Sequence, residues 1–238
     1  MSKITTVIFD VYETLAHNNS GLWLETFRDI CRTQRLLVDP VSLYRDWKEL
    51  EMGFRRDRVN LEEPENGPPF KSYEDAWRDC FVGAFGKLSL FGDAAAAARK
   101  TIVDMGVREP YSDALEAIPE FQARWKTGVL SNADDGYLHP LLDRIGWKFP
   151  VALSSEGVGA YKPLPAAFQR VLTELGVGAE EAVYVGDTLY DDILGAKGVG
   201  MRSAWINRDG AAHDPLMPVP DFEIRSLTEL PALLEAAS

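Results

Sequence analysis

The amino-acid sequence predicts an α/β protein, a doubly wound parallel sheet carrying a smaller, all-helical insertion. Three observations point there. Ile4 to Phe9 is a short apolar and β-branched run ending in Asp10, the composition of a strand buried on both faces of a parallel sheet. From about Glu109 onward, strand-like runs alternate with helical patterns, the order of βαβ units. Between these, from about Gly21 to Val107, apolar residues recur at helical spacing with no strand-like alternation. A helical block set after the first strand of an alternating chain implies a core of residues 1–16 and 108–238, with 17–107 as a helical lid above the sheet's carboxyl edge.

The elements follow in order. Asp10 closes the first strand at the edge where open α/β sheets hold ligands, and Thr14 comes one tight turn later. An ionised Asp there serves as metal ligand, nucleophile or both; taken alone it is equally a turn residue. In the helical block, Leu22, Leu24, Phe27 and Ile30, then Leu43, Trp47, Leu50 and Phe54, mark two helices, and Trp23, Trp47 and Trp77 are expected in its core. Residues 60–70 are a polar loop rich in Glu and Pro, after which Tyr73, Trp77, Phe81 and Phe85 resume the helical period. Strands are expected at Thr127 to Leu130, Pro150 to Leu153, Ala182 to Val185, Arg202 to Ile206 and near Phe222 to Ile224. Helices fall around Phe168 to Leu175, Asp191 to Gly198 and from Leu227. Residues 207–220, with Gly210, Pro215, Pro218 and Pro220, read as a connecting loop without a derivable role.

Composition narrows the partners. With 46% hydrophobic and 26% charged residues over 238 positions, the chain has the makeup of a folded domain. A net charge of -12, with no basic run or basic helix, argues against a nucleic-acid binder and an anionic-membrane binder, leaving a small molecule. Cys31 and Cys80 lie far apart in apolar surroundings and read as buried free thiols. Met1-Ser2-Lys3 leads straight into a strand without a signal peptide, and no apolar run nears the roughly 18 residues of a spanning helix, so a cytoplasmic protein is expected. His17, His139 and His213 are scattered and given no catalytic role.

Four polar groups then fall at strand ends: Asp10, Ser131, Asp187, and Lys162 just past the third strand's loop. Each alone is an ordinary cap or turn residue. Together, converging carboxylates repel in a low-dielectric cleft unless a divalent cation or the Lys162 ammonium holds them ionised, and an oxygen-rich site of this kind suits Mg²⁺. The guest of such a site is a small anionic substrate.

These pieces resemble the haloacid dehalogenase superfamily of hydrolases. The resemblance is carried by Phe9-Asp10-Val11-Tyr12-Glu13-Thr14-Leu15, Val129-Leu130-Ser131-Asn132, Tyr161-Lys162-Pro163, and Val185-Gly186-Asp187-Thr188 continuing to Ala196, and it spans about residues 4 to 206. It implies a Rossmann-like core with the helical insertion as a cap, Asp10 as a nucleophile forming an aspartyl-enzyme intermediate, and Ser131, Asn132 and Lys162 around the transferring group. It further implies Mg²⁺ on Asp10 and Asp187, with Asp192 supporting the metal or Lys162 and Asp191 a lesser candidate.

Two features pull the resemblance in opposite directions. Family phosphatases usually have a second Asp two residues after the nucleophile; here that position is Tyr12, as in members that dehalogenate 2-haloacids, where halide leaves without a proton. A phenol can donate a proton but is a poor base at neutral pH. Yet those dehalogenases carry a neutral segment where this chain has Gly186-Asp187, and need no metal. Glu13 also stands where the family prefers Gly. Three readings follow in order of preference: a Mg²⁺-dependent phosphate-monoester hydrolase, a metal-independent 2-haloacid dehalogenase with a cap arginine such as Arg45 on the substrate carboxylate, and a binding or regulatory protein that kept the fold but lost turnover.

Overall fold

The computed structural model describes residues 3–237. In chain order the regular elements are β1 (Thr6–Phe9), α1 (Ser20–Gln34), α2 (Pro40–Asp57), α3 (Tyr73–Lys87), α4 (Ala94–Met105), α5 (Ser112–Arg124), β2 (Lys126–Ser131), α6 (Asp135–Ile145) and β3 (Val151–Ser154). The chain continues with α7 (Ser155–Val158), α8 (Pro165–Leu175), β4 (Ala182–Gly186), α9 (Gly195–Gly198), β5 (Arg202–Ile206), β6 (Phe222–Ile224) and α10 (Leu230–Ala236). They divide into two compact units. One holds the described residues up to His17, then 109–132 and everything from 145 on; the other holds 18–108 and 133–144.

The first unit is built on a six-stranded sheet in the order β3-β2-β1-β4-β5-β6, with every pairing parallel. The fold class read from the sequence is the one observed. All four residues of β1 are buried because the strand is flanked on both sides, with Phe9 level with Val129 of β2 and Val185 of β4. Strand order reverses its direction of growth at β1, so the carboxyl end of this strand opens at the switch point where such sheets bind ligands. On one face Ile8, Leu130 and Tyr184 pack with Phe168, Val171 and Leu172 of α8. On the other, the Phe9 ring meets Phe121 of α5 edge-on at 5.1 Å.

Strand boundaries shift by a residue or two from the sequence pattern, and two shifts matter. β2 and β3 each end one residue later, so that Ser131 and Ser154 still pair as ladder neighbours and Ser131 is held by the sheet itself. The helix expected from Asp191 opens instead as a wide π-type turn over Leu189–Leu194, because the Asp192 carboxylate folds back to accept from the Thr188 backbone N–H at 2.9 Å and its hydroxyl at 2.8 Å.

The second unit is helical: α1 to α4 carry the period read over residues 21–107, and α6, from a stretch assigned to the core by sequence, groups with them. Trp47 and Trp77 are buried and Trp23 nearly so, with ring centroids 5.2 Å and 5.4 Å apart for the Trp23 pairs. Asn19, Asp39, Ser72 and Asp93 cap α1 to α4 through side-chain oxygens, each worth about 1 kcal/mol. Glu51 is wholly buried within this unit and paired with Lys48 and Arg55. Cys31 and Cys80 are free and buried, and burial pushes the Cys80 thiol up to about 12. Among the described residues, no helix is long and apolar enough to cross a membrane.

Candidate active site

Asp10, Ser131 and Asp187 stand at strand ends of the first unit, and the connections beyond those strands bring Lys162 and Asp192 to the same edge. Asp10 follows β1, its backbone N–H donating to the Val185 carbonyl at 2.8 Å, and its side chain is 8% exposed. Ser131, at the end of β2, donates its hydroxyl to Asp10 Oδ1 at 2.8 Å. The next residue, Asn132, spends its amide on the Lys162 backbone, accepting from the Lys162 N–H at 2.8 Å and donating to its carbonyl at 3.1 Å. That two-point clamp fixes where the Lys162 side chain begins.

Lys162 is buried, and its three N–H bonds have three acceptors: Asp10 Oδ1 at 2.7 Å, Asp192 Oδ1 at 2.6 Å and the Tyr184 hydroxyl at 2.7 Å. Tyr184 then donates to the Leu130 carbonyl at 2.6 Å, so the ammonium is tied through the phenol to β2. Asp187 follows β4 and is partly exposed; Thr14 donates its hydroxyl to Asp187 Oδ1 at a long 3.5 Å. Trp205 holds this corner from β5, its indole N–H donating to the Asp187 carbonyl at 2.8 Å. Asp10, Asp187 and Asp192 each offer a carboxylate oxygen, and all three lie within 4.8 Å of one another.

Electrostatics here is a matter of counting. Three carboxylates face one ammonium, an excess of two negative charges in a mostly buried space. Burial alone would lower the Lys162 pKa, but the Asp10 and Asp192 carboxylates outweigh it and hold the ammonium protonated well above its ordinary range. Burial, then Asp192 and Asp10, push the Asp187 carboxyl well up. Asp192 is pushed up to about 6 by burial and by Asp10, against the pull of Lys162. A divalent cation would reverse the two carboxyl shifts by supplying the missing positive charge, and the all-oxygen donor set of Asp10, Asp187 and Asp192 fits Mg²⁺.

The remaining sequence candidates fall as follows. Tyr12 is nearly buried on the turn after Asp10, which closes through a bridge between Tyr12 and Ala16. Glu13 takes a left-handed backbone, φ 67°, and its carboxylate accepts from the Tyr111 hydroxyl at 2.8 Å. Arg45 lies on α2 in the helical unit, 70% exposed, with Nε 3.2 Å from the neighbouring Asp46. His17 packs its ring on Tyr111 at 3.7 Å.

Sequence reading passed over Tyr184 and the reason for Gly186. A phenol inside a fully buried strand needs a partner for its hydroxyl, which was the available signal. Gly186 is required by close approach: a Cβ there would stand 2.3 Å from Asp192 Cγ. Gly186→Ala is therefore expected to drive Asp192 out of its bond with Lys162 and to cost about 1–3 kcal/mol, read as a lowered urea midpoint.

The description haloacid dehalogenase-like hydrolase matches residues 4–200. The chain belongs to this family. Two relatives of the haloacid dehalogenase-like hydrolases show its breadth. The (S)-2-haloacid dehalogenase of Pseudomonas sp. is 27% identical over 100% of this chain and 97% of its own length. The glyceraldehyde 3-phosphate phosphatase of Methanopyrus kandleri is 31% identical over 95% of each. Among solved structures, the HAD-hydrolase YfnB of Bacillus subtilis superposes with a TM-score of 0.80 at 22% identity, covering 98% of this chain and 99% of that one, a likeness of fold. Membership fixes a hydrolase; carbon–halogen and phosphate-ester bonds are both represented among these relatives.

Proposed function

We propose that this chain is a Mg²⁺-dependent hydrolase of a small phosphate monoester. The observation that carries the proposal is the set of three carboxylate oxygens within 4.8 Å, opposed by a single ammonium. A site two negative charges in excess favours a divalent cation, and phosphoryl transfer is the chemistry that uses one. Asp10 and Asp187 would hold the Mg²⁺ with Asp192 beside them, and the bound cation would neutralise charge on the phosphoryl oxygens.

The chain's own groups take the rest. An Asp10 oxygen attacks phosphorus, the phosphorus–oxygen bond to the leaving alcohol breaks, and an aspartyl-phosphate forms; the departing alkoxide takes a proton from water or from the Tyr12 phenol. Water then attacks the aspartyl-phosphate, inorganic phosphate leaves, and the Asp10 carboxylate is restored. Asp10 needs no activation, only placement, which Ser131 and Lys162 provide. Lys162 also screens the nucleophile from the incoming anion. With Tyr12 where a carboxylate base commonly stands, the hydrolytic half is slow by roughly 10² to 10⁴. Residues 17–107 are read as the cap that selects the substrate, with Arg45 a candidate for its anionic part.

A second reading, 2-haloacid dehalogenase, is favoured by Tyr12 and by the full-length (S)-2-haloacid dehalogenase relative. It ranks lower because a metal-independent reaction brings the haloacid carboxylate to a site two negative charges in excess with no cation to offset them, whereas a phosphate monoester is bound together with Mg²⁺. One assay divides the two: the purified protein is offered an aryl phosphate and, separately, a 2-chloroacid, each with Mg²⁺ and with a chelator. Chelator-sensitive phosphate release is expected. Chelator-indifferent chloride release with no phosphate release would overturn the proposal.

Binding is measurable without turnover. At about 100 times its Kd, Mg²⁺ is expected to stabilise the fold by about 2.7 kcal/mol, seen as a raised Tm. Asp187→Asn should remove most of that rise.

A further inference from the structure

We propose that Arg208 is a positioning residue for the turn that carries Thr14, holding it in the shape the site requires. It rests on the reading of Asp10 as nucleophile and Asp187 as metal ligand. Arg208 is the second residue of the 207–220 connection, far from every motif used so far, yet its guanidinium reaches the turn after β1. Nη2 donates to the Thr14 carbonyl at 2.7 Å, and Nη1 donates to Asp113 Oδ2 at 2.9 Å, at the start of α5. The flat face of the guanidinium lies 3.8 Å from the centre of the Tyr111 ring. Tyr111 in turn donates its hydroxyl to Glu13 and its backbone N–H to the Leu15 carbonyl at 2.9 Å.

The turn needs such support. Glu13 sits at φ 67°, a left-handed conformation that strains a side chain bearing a Cβ and that glycine adopts freely. Thr14, the next residue, has its hydroxyl at the edge of hydrogen-bonding distance from Asp187, so a small movement of the turn breaks that contact. Arg208 ties the Thr14 carbonyl to α5 and, through the Tyr111 ring, to Glu13. Its side chain is 19% exposed, Asp113 is 15% exposed, and Asp113 is itself anchored by the Leu227 backbone N–H at 2.9 Å. An interaction of this kind acts on reactivity through placement: displacement by about 1 Å can cost on the order of 100-fold in rate.

Arg208→Met keeps the stem and removes the fork; Arg208→Lys keeps a charge but offers a point donor that cannot span both acceptors in the same plane. Hydrogen exchange at the amides of residues 13–16 reports on the turn whatever the substrate proves to be. Both variants are expected to exchange there at least about tenfold faster than the parent chain, while the amides of β1 and β4 keep their protection. With whichever substrate the parent chain turns over, kcat should fall by about 10- to 100-fold with KM changed less than about threefold, and added guanidinium ion at millimolar concentration should restore part of it in Arg208→Met. Unchanged exchange at 13–16 would overturn the inference, as would a KM-only defect. If Arg208→Met does not fold, Arg208→Lys carries the same comparison. A parent chain silent toward both substrate classes would count against the proposed function alone, since the exchange measurement still decides the role of Arg208.

Discussion

Asp10→Asn is expected to abolish turnover while leaving the fold standing. The carboxamide matches the carboxylate in shape, and its oxygen can still accept from the Ser131 hydroxyl and the Lys162 ammonium, the two donors now on Oδ1. What disappears is the charge and the nucleophile. Loss of an essential nucleophile costs on the order of 10⁴ to 10⁶ in kcat, so activity should drop to the background of the assay. Stability follows a different balance. The variant gives up a charge-assisted bond to Lys162, and it also relieves the repulsion among Asp10, Asp187 and Asp192. These oppose each other, and the unfolding free energy in chelator should shift by no more than about 1 kcal/mol. A variant that kept a tenth of the parent activity would exclude Asp10 as nucleophile, and one that failed to fold would show that the charge was structural.

That separation of roles is partly legible in the amino-acid sequence. Asp10 and Ser131 stand directly after an apolar β-branched run and Asp187 one glycine beyond another, and a parallel sheet must bring such carboxyl ends to one edge. Convergence was therefore readable from local pattern plus topology. Lys162 was legible through its motif, although its strand had ended several residues earlier. Tyr184 was not, because its hydroxyl finds its acceptor, Leu130, two strands away, and no spacing in the sequence reports that distance. Arg208 was harder still: its partner Thr14 is 194 positions away, and an arginine in a Gly- and Pro-containing connection carries the pattern of a solvated loop. Gly186 shows a third kind of opacity. Its necessity comes from the Asp192 carboxyl lying against it, a contact set by the π-type turn that the helical period did not foresee.

Lys162→Met is expected to have the largest effect on stability. Methionine fills nearly the same volume with an apolar tip, so packing against Tyr184 and the strands survives while the cation does not. Asp10 and Asp192 then remain buried without their shared partner, and the Tyr184 hydroxyl loses the donor at 2.7 Å. Removing one side of a buried ion pair costs about 3–5 kcal/mol, because the charge left behind has neither water nor counter-ion. The pH dependence has a definite sign. In the parent chain the ammonium's pKa is raised, so its contribution is fully present at neutral pH and is lost only in alkali. Asp192, already pushed up to about 6, rises further once the lysine is gone. A carboxyl raised in the folded state costs nothing below its unfolded value of about 3.9, and its penalty accumulates as pH climbs from there to the folded value, above which it is complete. The gap between variant and parent should thus be widest near neutrality and should narrow as pH falls toward about 4, measured by urea unfolding in chelator. Adding Asp192→Asn to Lys162→Met removes one stranded charge and should return a substantial part of the loss, whereas an equal deficit in single and double variants would mean that the ammonium acts through packing rather than charge.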